Sequence, residues 1–457
     1  MKSVIALLFR KIEAFIENQL RSDSDKILVI DGARQIGKTY IIRHVGTKLF
    51  ENYIELNFVE DYEGDRLFET VRTVDDFYLR VSMIAGERMK EKDNTLIFLD
   101  EIQQYPQLLT LLKFLREDNR FTYIASGSML GVSLKKTTSV PIGSILRKRM
   151  YPLDFEEFLI ANGFNEMAVG VLRKKYLANE SLDEYTHNRV LDLFKKYLLV
   201  GGLPDAVNSY LDSKNIANVR AIQSDIHDFY AADAAKYESE NQRKLKIQRI
   251  YEMIPSNLEN KKKRVVFKDI EDKKGKRYTD YQDEFEYLIS AGIALDVKAI
   301  SNPAFPLIES ENKNLLKLYL NDVGLLTNIL YRHNIRAVLD QEKSINLGTV
   351  YESAVAQELR AHGFDLCYYD NRKKGEVDYI VEDYDTLSLL PIEVKSGKDY
   401  QIHSALNALV SNEEYNVQKA IVFSNTREIS EKGKIYYLPI YYVMFLEPNA
   451  GAGLLSD

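Results

Sequence analysis

The 457-residue chain has a single cysteine, Cys367. One thiol cannot close an internal disulfide or build a zinc–cysteine cluster, so a stapled secreted fold and a zinc ribbon are excluded and a cytoplasmic setting is expected. Long apolar runs are missing too. The run from Val4 to Phe9 is ended by Arg10 and Lys11, well short of the roughly 18 residues that cross a bilayer. No small-x-small cleavage site follows it, so a signal peptide is a poor fit and no membrane partner is expected. Proline and glycine are sparse, at 10 and 22 residues, which excludes collagenous or low-complexity architecture. Positive charge is not in excess: 61 Lys and Arg stand against 68 Asp and Glu, a formal net charge of −7. That balance excludes a chain that coats nucleic acid by bulk electrostatics and confines such contact to local patches. The histidines, His44, His187, His227, His333, His362 and His403, lack metal-ligand spacing and read as structural or surface residues.

The composition is that of an ordinary folded protein, 45% apolar and 28% charged, with a length that suggests about three domains. Ile5, Leu8, Phe9, Ile12, Ile16 and Leu20 recur at helical spacing and predict an amphipathic N-terminal helix. Behind it, the apolar run Ile27 to Ile30 ends in Asp31, and the next residues are Gly32, Ala33, Arg34, Gln35, Ile36, Gly37, Lys38 and Thr39. This is G-x-x-x-x-G-K-T between a buried strand and a helix that opens at Tyr40, the pattern of a phosphate-binding loop. Glycines let backbone N–H groups turn inward around phosphate oxygens, and the helix N-terminus adds a favourable dipole. Lys38 would reach the β- and γ-phosphates, and the Thr39 hydroxyl would ligate Mg2+. ATP and Mg2+ are the expected cofactors.

A nucleotide-hydrolysing enzyme needs a second element, a buried strand that brings a carboxylate to the same metal. Leu96 to Leu99 followed by Asp100 and Glu101 supplies it. Asp100 emerges at the C-terminal end of the strand, where open α/β sheets bind ligands, as a metal ligand. Glu101 beside it would polarise the attacking water as catalytic base. Tyr53 to Phe58 reads as a further strand and Val74 to Met89 as a helix. Phe121 to Ala125 reads as the next strand, with Ser126-Gly127-Ser128 able to present a hydroxyl to the γ-phosphate or the water.

Taken in order, the phosphate loop, Leu99-Asp100-Glu101-Ile102-Gln103, Ser126-Gly127-Ser128, and Arg147 to Phe158 resemble the prokaryotic, archaeal-ATPase-like AAA-type ATPases that carry a C-terminal domain of uncharacterised function. Gly201-Gly202-Leu203-Pro204 and Asp322-Val323-Gly324-Leu325-Leu326 are similar to the same family, so the resemblance covers nearly the whole chain. The family often has Gly-Arg at the end of the fifth strand, whereas this chain has Leu146-Arg147 and Lys148-Arg149. The resemblance implies that Arg147 or Arg149 contacts the γ-phosphate, in cis or from a neighbouring copy, and a homo-oligomer is a candidate assembly.

From Asn162 to Tyr237 the pattern is helical, with Leu191, Phe194 and Leu198, then Ile222, Ile226 and Phe229, on one stripe. This predicts a lid over the nucleotide, with the Gly201–Pro204 turn as hinge. Residues 246 to 300 then alternate helix, short strand, two helices and a strand pair, an order that resembles a winged helix. Its helices are flanked by Lys261-Lys262-Lys263-Arg264 and Lys273-Lys274-Gly275-Lys276-Arg277, which predict DNA contact through phosphates.

In the last third, Leu347 to His362 reads as a helix with Glu352 near its start. Strands follow at 366–369, 375–381 and 389–395. Glu393 and Lys395 share one face of their strand, and Glu376 and Asp378 share one face of theirs. An Asp on one strand with Glu-x-Lys on its neighbour resembles the restriction-endonuclease-like, PD-(D/E)xK, nucleases. That resemblance implies Asp378, Glu393 and Glu352 as Mg2+ ligands and Asp378, Glu393 and Lys395 as the catalytic set.

The expected architecture is therefore α/β, in four parts. Residues 1–160 form a P-loop AAA-type ATPase domain, 161–239 a helical lid, 240–330 a winged-helix domain, and 331–457 an α/β restriction-endonuclease-like domain. The expected nucleotide contacts are Gly32 to Tyr40 with Ser128 and Arg149, the metal ligands Thr39 and Asp100, and the catalytic groups Lys38 and Glu101. The expected function is Mg2+-dependent ATP hydrolysis coupled to a DNA-associated C-terminal module. The alternatives are an ATP-dependent regulatory switch with an inactive nuclease-like domain, and an ATP-gated nuclease.

Overall fold

The computed structural model describes residues 8–22, 24–128, 143–233, 240–332, 334–339, 347–397 and 399–448. Ile5, Tyr237 and His333 lie outside them. The chain divides into two compact units. One is Arg10–Tyr151 with Ser290–Gly292, and the other takes in Pro152–Ile289 and the residues from Ile293 onward.

The first unit is built on a five-stranded parallel sheet of β1 (Ile27–Asp31), β2 (Asn52–Asn57), β3 (Thr95–Asp100), β4 (Thr122–Gly127) and β5 (Ile145–Arg149), in the order β2-β3-β4-β1-β5. All of β1 and β3 is buried, as near-continuous apolar runs require when helices cover both faces. Because β4 stands between β1 and β3, the phosphate-loop strand and the acidic strand end one strand apart on the same edge. Ile27, Val29, Ile97 and Leu99 pack with Phe77 and Leu112, from the helices Val74–Ala85 and Pro106–Asp118, in one core. The amphipathic helix runs from Lys11 to Arg21 and buries Ile12 and Ile16, starting later than the apolar stripe suggests.

The second unit carries an eight-stranded mixed sheet, in the order β12-β13-β11-β10-β9-β8-β6-β7. Its strands are β6 (Ala294–Ile300), β7 (Glu311–Leu320), β8 (Cys367–Asn371), β9 (Gly375–Asp383), β10 (Ser388–Val394), β11 (Ala420–Ser424), β12 (Ser430–Lys432) and β13 (Ile435–Pro439). β6 pairs antiparallel with β7 and parallel with β8, so one sheet runs through the division expected at residue 330. Of the segment 161–239, expected as a lid on the nucleotide domain, the described helices from Glu166 to Asp233 cluster with this sheet and not with the phosphate-loop unit. Phe229 is exposed, off the buried stripe that includes Ile226.

The two remaining family-like segments meet inside this unit. Asp322 caps the helix Val323–Tyr331 through Leu325 N–H (3.2 Å) and also accepts Gly202 N–H (2.6 Å). Gly201 has φ +70°, and a Cβ there would stand 2.1 Å from Asp322 Oδ1; one on Gly202 would stand 2.0 Å from Leu153 O. Gly324 is equally crowded, 2.4 Å from Gln223 Nε2. The Gly-Gly-Leu-Pro turn is therefore a close-packed backbone junction and not the free hinge its composition predicts. Burial pushes Asp322 up to about 6, against the pull of its backbone N–H donors.

Candidate functional site

In the first unit the chain leaves β1 at Asp31 and turns at Gly32, whose φ is +148° and whose missing Cβ would lie 2.4 Å from Met150 O. Gln35 and Gly37 also take positive φ, 61° and 92°, and Gly37 caps the helix Lys38–Leu49. Only glycine adopts the first of these without strain against its neighbour. Lys38 is buried, and its Nζ spans the loop to Gly32 O (3.1 Å) and Ala33 O (2.8 Å). Burial lowers its pKa, with Glu101, Asp100 and Asp31 opposing the shift. Tyr40, in the first turn of the helix, is exposed. The turn Ser290–Gly292 belongs to this unit: Gly292 lies against Ala33 N, where a Cβ would come to 3.1 Å.

β3 carries the acids into this loop. Thr39 Oγ1 donates to Asp100 Oδ2 at 2.9 Å, and Ser126 Oγ donates to Asp100 Oδ1. Burial raises Asp100 above the ordinary carboxylate range. A hydroxyl and a carboxylate oxygen side by side, next to a phosphate loop, fit Mg2+, which takes one or two protein oxygens and fills its octahedron with phosphate and water. Thr39 and Asp100 would hold it.

Glu101 sits in the left-handed region, φ +53°, which turns its side chain away from the strand direction. Ser128 Oγ donates to Glu101 Oε2 (3.0 Å), and Gln103 Nε2 donates to the same oxygen and to Ser128 Oγ (3.3 Å). Arg34 Nε reaches Ser128 Oγ at 3.2 Å. Burial pushes Glu101 up, but Lys38, Gln103, Arg34 and Ser128 together outweigh it and hold the carboxylate below its usual range. Ser126 and Ser128 thus address the two acids, one each. Gln103 was not expected at the site; its position two residues after Glu101 is its one sequence signal.

Arg147 and Arg149 project from β5 onto Asp31. Arg147 Nη2 and Arg149 Nη2 (3.1 Å) both donate to Asp31 Oδ2, and Arg149 Nη2 also donates to Ser290 O (3.1 Å). Asp31 is 1% exposed, and its Oδ1 has no hydrogen-bond partner.

The second unit gathers the C-terminal residues. Glu352 lies on the buried face of the helix Gly348–Ala361, Asp378 on β9 and Glu393 on β10. Asp378 Oδ2 accepts Val394 N–H (2.8 Å), which locks β9 to the end of β10. Lys395 Nζ donates to Glu393 Oε1 (2.7 Å), Lys263 Nζ to Glu352 Oε1, and the fully buried Lys317 Nζ to Glu376 Oε1. Burial first, then the Asp378 charge, pushes Glu352 up to about 7 and Glu393 up to about 8. Glu352 Oε2 and Glu393 Oε2 are buried without a partner. The donor types suit a divalent cation, but lysines take the other oxygens, and among the described residues no three His, Cys, Asp or Glu side chains are grouped to hold one. Glu352, Asp378 and Glu393, the expected Mg2+ set, lie within electrostatic reach of one another, with one oxygen each of Glu352 and Glu393 bonded to a lysine. Lys263 and Lys317 were not anticipated, since neither belongs to the Glu-x-Lys pattern.

The basic stretch at 261–264 is divided, with Lys261 and Lys262 exposed and the other two cations turned inward. Lys263 pairs with Glu352, and Arg264 Nη1 with Asp370 Oδ2 (2.8 Å), so two of its cations are neutralised inside the unit. At 273–277, Lys273, Lys274 and Arg277 are exposed. No helix among the described residues is long and apolar enough to cross a membrane.

Comparison with known proteins matches three segments of the chain. Residues 24–159 match the family model of an AAA domain, 191–336 a domain of unknown function (DUF8612), and 347–443 another (DUF4143). The chain is 24% identical over 365 residues to an uncharacterized protein of Methanocaldococcus jannaschii, covering 78% of this chain and 72% of that protein. It is 25% identical over 193 residues to an uncharacterized protein of Haemophilus influenzae, covering 40% of this chain and 41% of that protein. Among solved structures, a Walker-type ATPase of Pyrococcus abyssi is similar with a TM-score of 0.43 and 14% identity, covering 71% of this chain and 96% of that one. The Thermotoga maritima RuvB Holliday junction branch migration motor follows with a TM-score of 0.31 and 10% identity, over 63% of this chain and 89% of that one. The family match, with the strand order and phosphate loop described above, makes residues 24–159 an AAA-type P-loop domain.

Proposed function

We propose that this chain binds and hydrolyses ATP with Mg2+ and couples the cycle to a DNA-associated C-terminal region. The observation that carries the reading is the meeting, at one sheet edge, of Lys38, Thr39, Asp100 and Glu101. Lys38, now spanning the loop carbonyls, would turn to the β- and γ-phosphates, while the backbone N–H groups of the loop cradle them. Thr39 and Asp100 would hold Mg2+, which supplies neutralisation of phosphate charge. Glu101, kept ionised by its neighbours and aimed by Ser128 and Gln103, would orient the attacking water and take its proton. Purified protein tests this directly. ATP turnover should require Mg2+, and its absence under all conditions defeats the enzyme reading.

The C-terminal half of the proposal rests on topology. Three helices, Asn241–Glu259, Phe267–Glu271 and Gln282–Ser290, precede the β6–β7 hairpin, and Val265 N–H bonds to Leu316 O on β7 (2.9 Å), which supports a winged-helix reading. The helix Gly348–Ala361, the antiparallel run β8-β9-β10, and a crossover through Ser404–Val410 to the parallel β11 support a restriction-endonuclease-like reading. DNA association rests on the exposed cations of 273–277 and predicts ATP turnover that rises with DNA and loses that rise as salt increases.

The lysines on Glu352 and Glu393 favour a second reading, a regulatory switch whose nuclease-like domain does not cut. Strand cleavage assayed with and without ATP and Mg2+ separates it from an ATP-gated nuclease. Sedimentation with ATP and with ADP asks whether nucleotide changes the assembly of a homo-oligomer.

A further inference from the structure

Asp31 occupies an unusual place. It is the last residue of β1, immediately before the first glycine of the phosphate loop, and it pairs in register with Arg149 on β5. It is almost completely buried, yet it is the acceptor for two arginines on one oxygen, and its second oxygen faces no donor. Two guanidinium groups on a single carboxylate oxygen carry more positive charge than one anion offsets. Both arginines are thus gathered on one oxygen of the carboxylate that directly precedes a loop built to hold phosphate.

We propose that Asp31 is an internal stand-in for phosphate: it keeps Arg147 and Arg149 occupied when the loop is empty, and a nucleotide triphosphate must compete with it for them. This rests on the ATPase reading above and gives that site a selectivity device. Charge-assisted pairs between arginine and phosphate are strong and bidentate, so a γ-phosphate can win one guanidinium from Asp31 whereas ADP, lacking it, cannot. Discrimination between ATP and ADP is then set by how tightly Asp31 holds its arginines. Asp31 acts through them, as a positioning residue.

The test measures Kd for ADP and for a non-hydrolysable ATP analogue, both with Mg2+, by calorimetry. Asp31→Asn keeps the shape and loses the charge. Expected is a gain of about tenfold in analogue affinity, the size of one charge-assisted hydrogen bond, with ADP affinity nearly unchanged. Arg149→Gln and Arg147→Gln, made singly in the native background, keep the proposal testable if Asp31→Asn does not fold. At least one of them should cut the ratio of analogue to ADP affinity by about tenfold. In the Asp31→Asn background that substitution should abolish the gain. An Asp31→Asn protein that folds and leaves the ratio unchanged overturns the proposal, as does an unchanged ratio in both arginine variants. Wild-type protein that binds neither nucleotide, with Lys38→Ala behaving identically, overturns the ATPase reading and this proposal with it.

Discussion

The two units each bury acids beside lysines, and they treat the charges in opposite ways. Around the phosphate loop, Lys38 bonds to two backbone carbonyls, while Asp100 and Glu101 take hydroxyls and an amide; none of the hydrogen bonds described for these acids comes from a lysine. In the second unit, Glu352 on its helix and Glu376 and Glu393 on the sheet each have a lysine of their own. The first arrangement leaves charge available to an incoming ligand. The second pairs it internally. Lysines pull acids down in both units: Lys38, with Gln103 and Arg34, outweighs burial and holds Glu101 low, whereas burial and the Asp378 charge outweigh the lysines and hold Glu352 and Glu393 high, and burial raises Asp100 as well. The same residue types can build a receptive site or a self-neutralised one, depending on whether the cations are tied to backbone or to the acids themselves.

Four measurements bear on that contrast. Glu101→Gln should lower ATP turnover by about 10²- to 10⁴-fold, the usual worth of a general base, while nucleotide stays bound. Turnover within a few-fold of wild type would remove Glu101 from the mechanism. Lys263→Met should destabilise the second unit by roughly 3 kcal/mol, because it strands a buried carboxylate. Calorimetry on the intact chain reads this as a lower midpoint; an unchanged one would mean that Glu352 needs no partner. Ser128→Ala deletes one hydrogen bond to an ionised group and should cost about tenfold in turnover; a change in nucleotide affinity alone would instead place Ser128 on the phosphates.

The smallest effect is in pH dependence. Glu352 and Glu393 keep protons in the folded state that the unfolded chain releases near 4.5. The folded chain therefore binds more protons, and the contribution of this pair to stability falls as pH rises from about 4.5 to about 8. Glu393→Gln should flatten that fall; a steeper one in the variant would contradict the assignment.

How much of this was legible in the sequence follows from how local each feature is. The phosphate loop and Asp100-Glu101 are contiguous patterns whose geometry is set by the strand they end and the helix they begin, so Lys38, Thr39 and Asp100 were found by spacing alone. The pairings were not: Ser126 reads as a hydroxyl for the γ-phosphate or the water and Gln103 only as part of the family-like motif, and spacing does not encode that they bond to Asp100 and Glu101, or that Asp31 takes two arginines. The helices of 155–233 were recognised as helices, but which unit they join depends on long-range packing such as that of Phe155 N–H on Glu358 Oε1. The cation run at 261–264 divides for the same reason: Lys261 and Lys262 stay exposed while the other two are paired. Charge density in a sequence does not say which charges will find acids across the fold, and Lys263 and Arg264 found Glu352 and Asp370.

The parallel pairing of β6 with β8 has a consequence for how the chain is made. Lys298 must wait for Cys367, and between them lie the β7 hairpin strand and the helix Gly348–Ala361. A chain emerging from the ribosome would present β6 and β7 with one edge unpaired until that distant strand arrives. Such edges invite pairing with other chains, and non-local closure is slow. A fragment cut at residue 330 would keep that open edge permanently, because the boundary its sequence suggests runs through one continuous sheet.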